Sequence, residues 1–181
     1  MIGNVRLQTA RLDLRDVAIS DGSTIAQWKA DPMVRRMSTG LDTIITASNQ
    51  EQEIERALAD ARETYWVIAL RQNAHPIGYI RANWLESERR CAWLRFGLGV
   101  ERGKGYAKEA LAAALSRWFE EGCHRIDAEV YDFNLPSLGL LKALGFTQEG
   151  VRRQAHWTGE GYCDVVVFGL LSGELHDVHG N

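Results

Sequence analysis

The spacing of apolar positions changes twice along the first half of the chain. The segment VRLQTARLDLRDV sets leucines between polar neighbours, which predicts an extended strand with partial alternation. The segment DGSTIAQWKADPMVRRM then repeats apolar side chains at helical spacing, and Pro32 interrupts the helix. A second helix is predicted over TASNQEQEIERALADARETY, which is rich in good helix formers.

The middle of the chain returns to β-rich runs. YWVIALRQ and HPIGYIRANWLE are separated by turn-forming residues and predict a hairpin, and CAWLRFGLGV predicts a third strand. The segment YAKEALAAALSRWFEEG then places alanine, leucine and aromatic side chains on one helical face. This part of the chain therefore predicts three strands followed by a long helix.

The last third predicts a strand at RIDAEVYDF, a short helix at NLPSLGLLKALGF and two strands joined around GEGY. The predicted order is strand, two helices, three strands, helix, strand, helix, two strands. This order indicates an α+β or mixed α/β protein built on a sheet. Because no linker rich in Pro, Gly or Ser divides the sequence, we expect residues 1–181 to form a single domain.

Composition and charge exclude several classes of partner. The chain has 21 basic and 24 acidic residues, a net charge of -3 and no run of five like charges, which argues against a nucleic-acid partner. No window approaches the roughly 20 apolar residues of a membrane span, and the first residues do not resemble a signal peptide, so we expect a cytoplasmic protein without a membrane partner. Cys91, Cys123 and Cys163 are far apart, which favours free thiols in a reducing compartment and no metal site.

Four glycines fall within residues 97–105, just before the long helix. The phosphate-loop pattern of nucleotide triphosphatases fails here, because Gly105 follows Lys104 where a serine or threonine is required. The dinucleotide fingerprint also fails, since Arg102 and Lys108 stand where a third glycine is needed.

What remains is the pattern RGKG, residues 102–105, at a junction from strand to helix. Glycines leave successive backbone N–H groups uncovered, and together with the helix dipole these groups can bind a pyrophosphate. The side chain of Arg102 or Lys104 can add positive charge to the same anion.

With its neighbours, this loop resembles a known family. RGKGYAKEAL is similar to the acyl-CoA motif of the GCN5-related N-acetyltransferase (GNAT) superfamily, in particular its RimJ/RimL-like ribosomal-protein N-acetyltransferases. TARLDLR, ADPMVRRM, PIGYI, NLPSLGLLKALGFTQEGVRR and YCDVVVFGLL follow the family's order and spacing, so the resemblance covers nearly the entire chain.

The resemblance implies the GNAT fold: a mixed, mostly antiparallel sheet of six to seven strands, splayed between strands four and five and flanked by about four helices. It implies acetyl-CoA as the acyl donor. The pantetheine arm is expected along the fourth strand at Leu98, Gly99 and Val100. The pyrophosphate is expected on the N–H groups of Arg102, Gly103, Lys104, Gly105, Tyr106 and Ala107. Asn134 and Ser137 match the family's N-x-x-S pattern near the cofactor thiol.

Several of these residues also have structural interpretations. Gly97 and Gly99 equally fit a β-bulge, and Asn134 also fits a helix N-cap. The aromatic residues Trp93 and Trp118 favour the core over an acceptor site.

The chain departs from its relatives at the catalytic positions. Many relatives place a tyrosine acid seven residues after the asparagine, where this chain has Leu141, so the resemblance makes Ser137 the best remaining donor to the thiolate. No glutamate occupies CAWLRF, and the general base stays unassigned. The candidates to replace it, each of which also fits a solvated surface, are Glu129, Asp132, Glu86 and Glu88.

The resemblance predicts an acyltransferase that acetylates a primary amine by direct attack. It puts the acceptor in the neighbourhood of Trp28, Met37, Trp84 and His156. Protein N-termini, polyamines, amino acids and drugs all stay open as acceptors, although the branch resemblance favours an N-terminal α-amine. A different acyl-CoA and a non-catalytic CoA-binding module are the alternatives, and a homodimer is among the assemblies left open.

Overall fold

A mixed sheet of eight strands runs through the part of the chain that the computed structural model describes, residues 3–39 and 44–176. In chain order its elements are β1 (Val5–Gln8), β2 (Leu12–Asp16), α1 (Gly22–Ala30), α2 (Pro32–Thr39), α3 (Ala47–Ala59), β3 (Glu63–Leu70), β4 (Pro76–Trp84), β5 (Cys91–Leu98), α4 (Tyr106–Glu120), β6 (Arg125–Tyr131), α5 (Leu135–Ala143), β7 (Thr147–Trp157) and β8 (Tyr162–Leu171). No helix within these ranges is long and apolar enough to cross a membrane.

The described residues form one strand and one helix more than the sequence analysis predicts. The predicted first strand is two strands, because the chain reverses at Thr9, whose N–H donates to the carbonyl of Leu12 at 2.9 Å. The predicted first helix is also two, since Asp31 is extended at ψ 120° and Pro32 begins a new helix. Both splits leave the predicted order of the other elements unchanged.

The strands lie in the order β1-β2-β3-β4-β5-β6-β8-β7. Every neighbouring pair is antiparallel except β5 and β6, which are parallel and are connected through α4. These two strands are the fourth and fifth of the predicted order, so the parallel pair lies where the resemblance places the splay.

Helices cover both faces of the sheet. On one face α4 buries Ala110, Leu111, Ala114 and Leu115, and its Trp118 ring lies 5.4 Å from Trp66 between ring centroids. On the other face Ile25 of α1 and Ile54 of α3 pack in a second cluster with the fully buried Val67 of β3. The predicted core position of Trp118 is confirmed.

A buried ion pair joins β2 to the turn that precedes α1. The Arg15 guanidinium donates twice to the Asp21 carboxylate, at 2.7 and 2.8 Å, and both residues are less than a tenth exposed. The Asp21 carboxylate also accepts the Ala18 N–H at 2.8 Å. Because this pair fixes the start of α1, it also positions the residues that α1 presents to the sheet.

Substitution of Asp21 by alanine is expected to destabilise the fold strongly, because it leaves the Arg15 guanidinium buried without its carboxylate. Loss of one partner of a buried ion pair costs about 3 kcal/mol or more. The free energy of unfolding, measured by urea denaturation, checks this. Arg117→Gln, which breaks an exposed pair with Glu121 in α4, is the control and should cost less than about 0.5 kcal/mol. Equal losses in the two variants would contradict the role given to the buried pair.

Candidate functional site

Strands β5 and β6 separate soon after they begin to pair. Their register covers three residue pairs, Cys91 with Arg125 to Trp93 with Asp127, although β5 continues to Leu98. The expected splay is thus confirmed, and a gap lies beside the second half of β5.

The edge of β5 that faces this gap has unpaired backbone groups. The Gly99 N–H donates to the Ile77 carbonyl of β4 at 2.9 Å. Successive residues of a strand turn their backbone groups to opposite edges, so the residues of β5 face β4 and the gap in alternation. The N–H and C=O groups of Phe96 and Leu98, which lie beyond the last pair of Trp93 with Asp127, therefore face the gap. An extended ligand with amide groups can hydrogen-bond to them as an additional strand would.

The register separates the three residues expected along the pantetheine arm, whose contact with it stays a prediction. Of the three residues expected there, Leu98 turns its backbone groups to the gap, whereas the Gly99 and Val100 N–H groups both donate to Ile77, at 2.9 and 3.3 Å. Gly99 is required for packing, because a Cβ there would lie 2.0 Å from the Trp28 indole. A Cβ at Gly97 would lie 3.2 Å from the Tyr79 ring, a tight contact but a weaker clash than at Gly99.

The loop after β5 presents backbone N–H groups at the mouth of the gap. Gly103 and Gly105 have φ of 78° and 80°, a left-handed conformation that favours glycine. Helix α4 begins at Tyr106. The Glu109 N–H donates to the Gly105 carbonyl at 3.1 Å, which is the first hydrogen bond of the helical pattern. The N–H groups before Glu109 are free of intrahelical partners, as at any helix start, and fit the pyrophosphate of the expected cofactor.

The two cationic side chains of the loop already have carboxylate partners. Arg102 donates to Asp31 at 3.2 Å, and Lys104 pairs with Glu101. The hydrogen bond from Lys104 to Glu101 raises the pKa of the lysine. Backbone groups and the helix dipole are therefore the anion ligands that this loop offers most directly.

Arg11, which sequence analysis missed, holds the loop against β2. Its Nε donates to Glu109 at 2.6 Å and its Nη1 to the Lys104 carbonyl at 3.2 Å. Its guanidinium also lies over the Tyr106 ring, 4.4 Å from the centroid. The side chain thus binds the loop and the first turn of α4 together. It brings a third cation to the site.

Two cavities open along the gap. The first, which we call the apolar cavity, has a volume of about 380 Å³. Its walls include Ile25, Trp28, Val34, Leu98, Gly103, Ala107 and Leu140. The second, the polar cavity, has a volume of about 610 Å³. Its walls include Trp93, Arg95, Glu129, Tyr131, Arg152 and His156.

The cavities share part of their walls. The residues common to both are Met37, Ser38, Tyr79, Phe96, Asn134 and Ser137. The site therefore has a long apolar part beside the glycine loop and a polar part between β5 and the β7–β8 hairpin. Asn134 and Ser137 lie where the two meet.

Asn134 fixes this junction. Its Oδ1 accepts the Ser137 N–H at 3.3 Å, so it caps α5, and its Nδ2 donates to the Met37 carbonyl at 3.4 Å. The cap interpretation of Asn134 is confirmed. Its second hydrogen bond ties α5 to α2, and α2 thereby becomes a wall of both cavities.

The residues expected near the acceptor are only partly together. Met37 and His156 line the polar cavity, whereas Trp28 lines the apolar cavity. Trp84 lies in neither: it is 4% exposed, packs on Trp118 and donates its indole N–H to Thr64 at 2.9 Å. The placement of Trp84 near the acceptor is wrong because its side chain points to the opposite face of β4.

Trp93, rather than Trp84, is the tryptophan that lines the polar cavity. It is 36% exposed and lines the polar cavity, so its prediction as a core residue is wrong. Asn83, which precedes Trp84, is the residue paired with Trp93 across β4 and β5, so the two tryptophans lie on opposite faces. Alternation along the strands places them on different faces but does not say which face is the site.

Of the four carboxylates predicted as candidate bases, one lines a cavity and three do not. Glu129 lines the polar cavity, where it accepts a hydrogen bond from Arg152 at 2.7 Å. Glu86 instead accepts the Cys91 N–H at 2.8 Å, and neither it, Glu88 nor Asp132 lines either cavity. His156 lines the polar cavity, packs 4.7 Å from the Tyr131 ring, and has a buried Nε2 with no partner among the described residues.

Comparisons with known proteins bear on the family and the fold of this chain. A model of the acetyltransferase (GNAT) domain family matches residues 11–147. The chain is 29% identical over 172 residues to an uncharacterised N-acetyltransferase, p20, of Bacillus licheniformis, covering 93% of this chain and 97% of that protein.

Solved structures share the fold at lower identity. The spermidine N-acetyltransferase of Vibrio cholerae in complex with CoA and spermine superposes with a TM-score of 0.82 at 21% identity, over 92% of this chain and 98% of that one. A ribosomal-protein-S5-alanine acetyltransferase from Vibrio fischeri gives a TM-score of 0.79 at 18% identity, over 96% and 100%. The chain belongs to the GNAT family of acetyltransferases and is an acyltransferase.

Gly103→Ala tests whether the loop holds a pyrophosphate. A Cβ at Gly103 meets no atom within 4 Å, so it enters the open space in front of the loop. The Cβ would keep a pyrophosphate away from the N–H groups of the loop. A lost hydrogen bond to a charged group is worth roughly 1.5 kcal/mol or more, so we expect the KM for acetyl-CoA to rise about tenfold. The CoA-dependent rise in Tm should shrink accordingly.

Gly159→Ala is the matched control. Gly159 lies between β7 and β8, has φ of 98° and also has open space at its Cβ, so the backbone strain is comparable. It should lower the Tm without changing the KM for acetyl-CoA. If both variants leave that KM unchanged, the loop does not bind the donor.

Proposed function

We propose that the protein transfers an acetyl group from acetyl-CoA to a primary amine, with an N-terminal α-amine as the preferred kind of acceptor. The observation that carries the proposal is the meeting of the apolar and polar cavities at Ser137, beside the open edge of β5. A donor held along β5 and an acceptor in the polar cavity would reach each other at this point.

The donor half of the site uses backbone groups. Acetyl-CoA supplies a thioester whose carbonyl carbon accepts the amine. The N-terminus of α4 binds the pyrophosphate, and Leu98 and Phe96 bind amides of the pantetheine arm at the open edge. N–H groups on the same edge can stabilise the oxyanion of a tetrahedral intermediate.

The acceptor half must receive a neutral amine. An α-amine titrates near 8 and a lysine-type amine near 10.4, so the α-amine needs less help from a base. We assign the proton acceptor to His156, which lines the polar cavity and whose buried Nε2 has no partner among the described residues, whereas Glu129 is engaged by Arg152. Proton transfer by a positioned side chain contributes about 10²-fold or more to the rate.

Ser137 is the donor that we assign to the departing thiolate. It lies at the junction of the cavities, and its N–H rather than its hydroxyl makes the bond to Asn134. Leu141, at the position of the family tyrosine, is fully buried and has no proton to give. The shape of this site thus supports the serine as acid or hydrogen-bond donor.

Ser137→Ala is expected to lower kcat by about 10²-fold, the lower range for a general acid, and to leave the CoA-dependent rise in Tm in place. Thiol release from acetyl-CoA with a panel of peptides and small amines measures this. Ser116→Ala, which removes an exposed hydroxyl on α4 that bonds to Glu120, is the control and should keep full activity.

Two results would contradict the proposal. A rise in Tm with CoA but no turnover of any amine would favour a CoA-binding module without catalysis. Faster thiol release from succinyl-CoA or another acyl-CoA than from acetyl-CoA would keep the acyltransferase and change its donor.

A further inference from the structure

One arginine in the polar cavity has no carboxylate partner among the described residues. Arg95, on β5, donates from Nε and Nη2 to a single acceptor, the amide oxygen of Asn83, at 3.1 and 2.5 Å. It is an exposed side chain on a cavity wall. Two of its five N–H donors are used in these bonds, which leaves three directed elsewhere.

The residues around Arg95 orient its guanidinium but leave it without a carboxylate partner. The Asn83 Nδ2 donates to Glu63, so the amide oxygen is turned toward Arg95. The Arg81 guanidinium pairs with the Glu63 carboxylate at 2.5 Å and with the Glu53 carboxylate, also at 2.5 Å. Both nearby carboxylates are thus engaged by Arg81. A neutral amide orients Arg95 without neutralising its charge.

The other charges of the polar cavity do not offset it. Glu129 is the one carboxylate among the lining residues, and Arg152 pairs with it at 2.7 Å. On the adjoining wall of the apolar cavity, burial lowers the pKa of Lys29, and the charges of Arg81 and Arg95 lower it further against the opposing effect of Glu53. The described walls of the polar cavity therefore carry one unbalanced positive charge, at Arg95.

We infer that the acceptor carries a carboxylate in addition to its amine, and that Arg95 binds this carboxylate. The inference rests on the proposed function and narrows its acceptor. A planar guanidinium pairs with carboxylates in a bidentate geometry, and three free donors allow it. A polyamine would instead bring further positive charges to a cavity whose one carboxylate is already paired, so like-charge repulsion disfavours it.

Two sources can present this chemistry: a free α-amino acid, or a peptide N-terminus followed by an acidic side chain. The test compares kcat/KM for matched acceptors with acetyl-CoA. The pairs are an amino acid with its carboxamide, and a peptide amide that begins Ala-Asp with one that begins Ala-Asn; spermidine is added as the polyamine. We expect the carboxylate member of one pair to be preferred by about tenfold or more, as for a hydrogen bond between charged groups. The pair that shows the preference identifies the source.

Variants assign the preference to Arg95. Arg95→Gln should raise the KM of the preferred acceptor about tenfold with a smaller change in kcat, and should remove the difference within the pair. Arg95→Lys should restore part of it, because a lysine keeps the charge but not the fork. The control is Arg6→Gln on β1, four strands from β5, where the side chain pairs with Asp16 and should not affect the preference.

Each outcome decides one of the two proposals. If spermidine or the neutral members are used as well as the carboxylates, or if Arg95→Gln leaves the preference intact, the acceptor inference is wrong, whereas acetyl transfer from acetyl-CoA to a primary amine stands. If no amine of any kind is acetylated, the proposed function fails, and the acceptor inference fails with it.

Discussion

The parting of β5 from β6 after three residue pairs is the constraint on which the rest of the site depends. A strand edge inside a protein leaves polar groups without partners, and such groups are costly unless something else bonds to them. The helix that connects two parallel strands has to start at the carboxyl end of the first, so α4 begins at the mouth of the gap. Unpaired strand edge and helix N-terminus are therefore brought together by topology, and both offer N–H groups to one extended ligand.

The rest of the fold keeps the gap open and gives it walls. The buried pair of Arg15 and Asp21 fixes the start of α1, and α1 supplies Trp28 against Gly99 on one side. On the other side Asn134 joins the start of α5 to the carbonyl of Met37 in α2. Short polar contacts at the ends of helices thus position the apolar side chains that line the cavities, where apolar packing alone has no directional preference.

Sequence patterns predicted what depends on neighbours along the chain. The order of elements follows from apolar spacing, and the conformation of the loop follows from glycines at positions where φ is positive. The two divided elements were missed because a turn at Thr9 and a break at Pro32 each interrupt a pattern that otherwise continues. Contacts between distant segments were also missed. Arg11 reaches a loop more than ninety residues away, and nothing in its own surroundings indicates that contact.

The tryptophans show a second limit of pattern analysis. Trp84 and Trp93 both lie on strands whose two faces are covered in part by helices or cavity, so apolar content does not separate core from site. The same limit applies to Arg95, whose character comes from the carboxylates that Arg81 engages rather than from its own position in the sequence.

The donor half of the proposed site consists of backbone groups and the acceptor half of side chains, and this difference affects how the two halves change during sequence divergence. In the proposed donor site, phosphate and amide groups would meet backbone N–H and C=O groups, which almost every amino acid provides, so substitutions there matter mainly at glycines such as Gly103. The proposed acceptor cavity is lined by side chains, among them Trp93, Arg95 and His156, and each replacement changes the surface that the cavity offers. A lineage built on this fold can therefore keep one donor through extensive sequence drift while its acceptor changes with a few mutations.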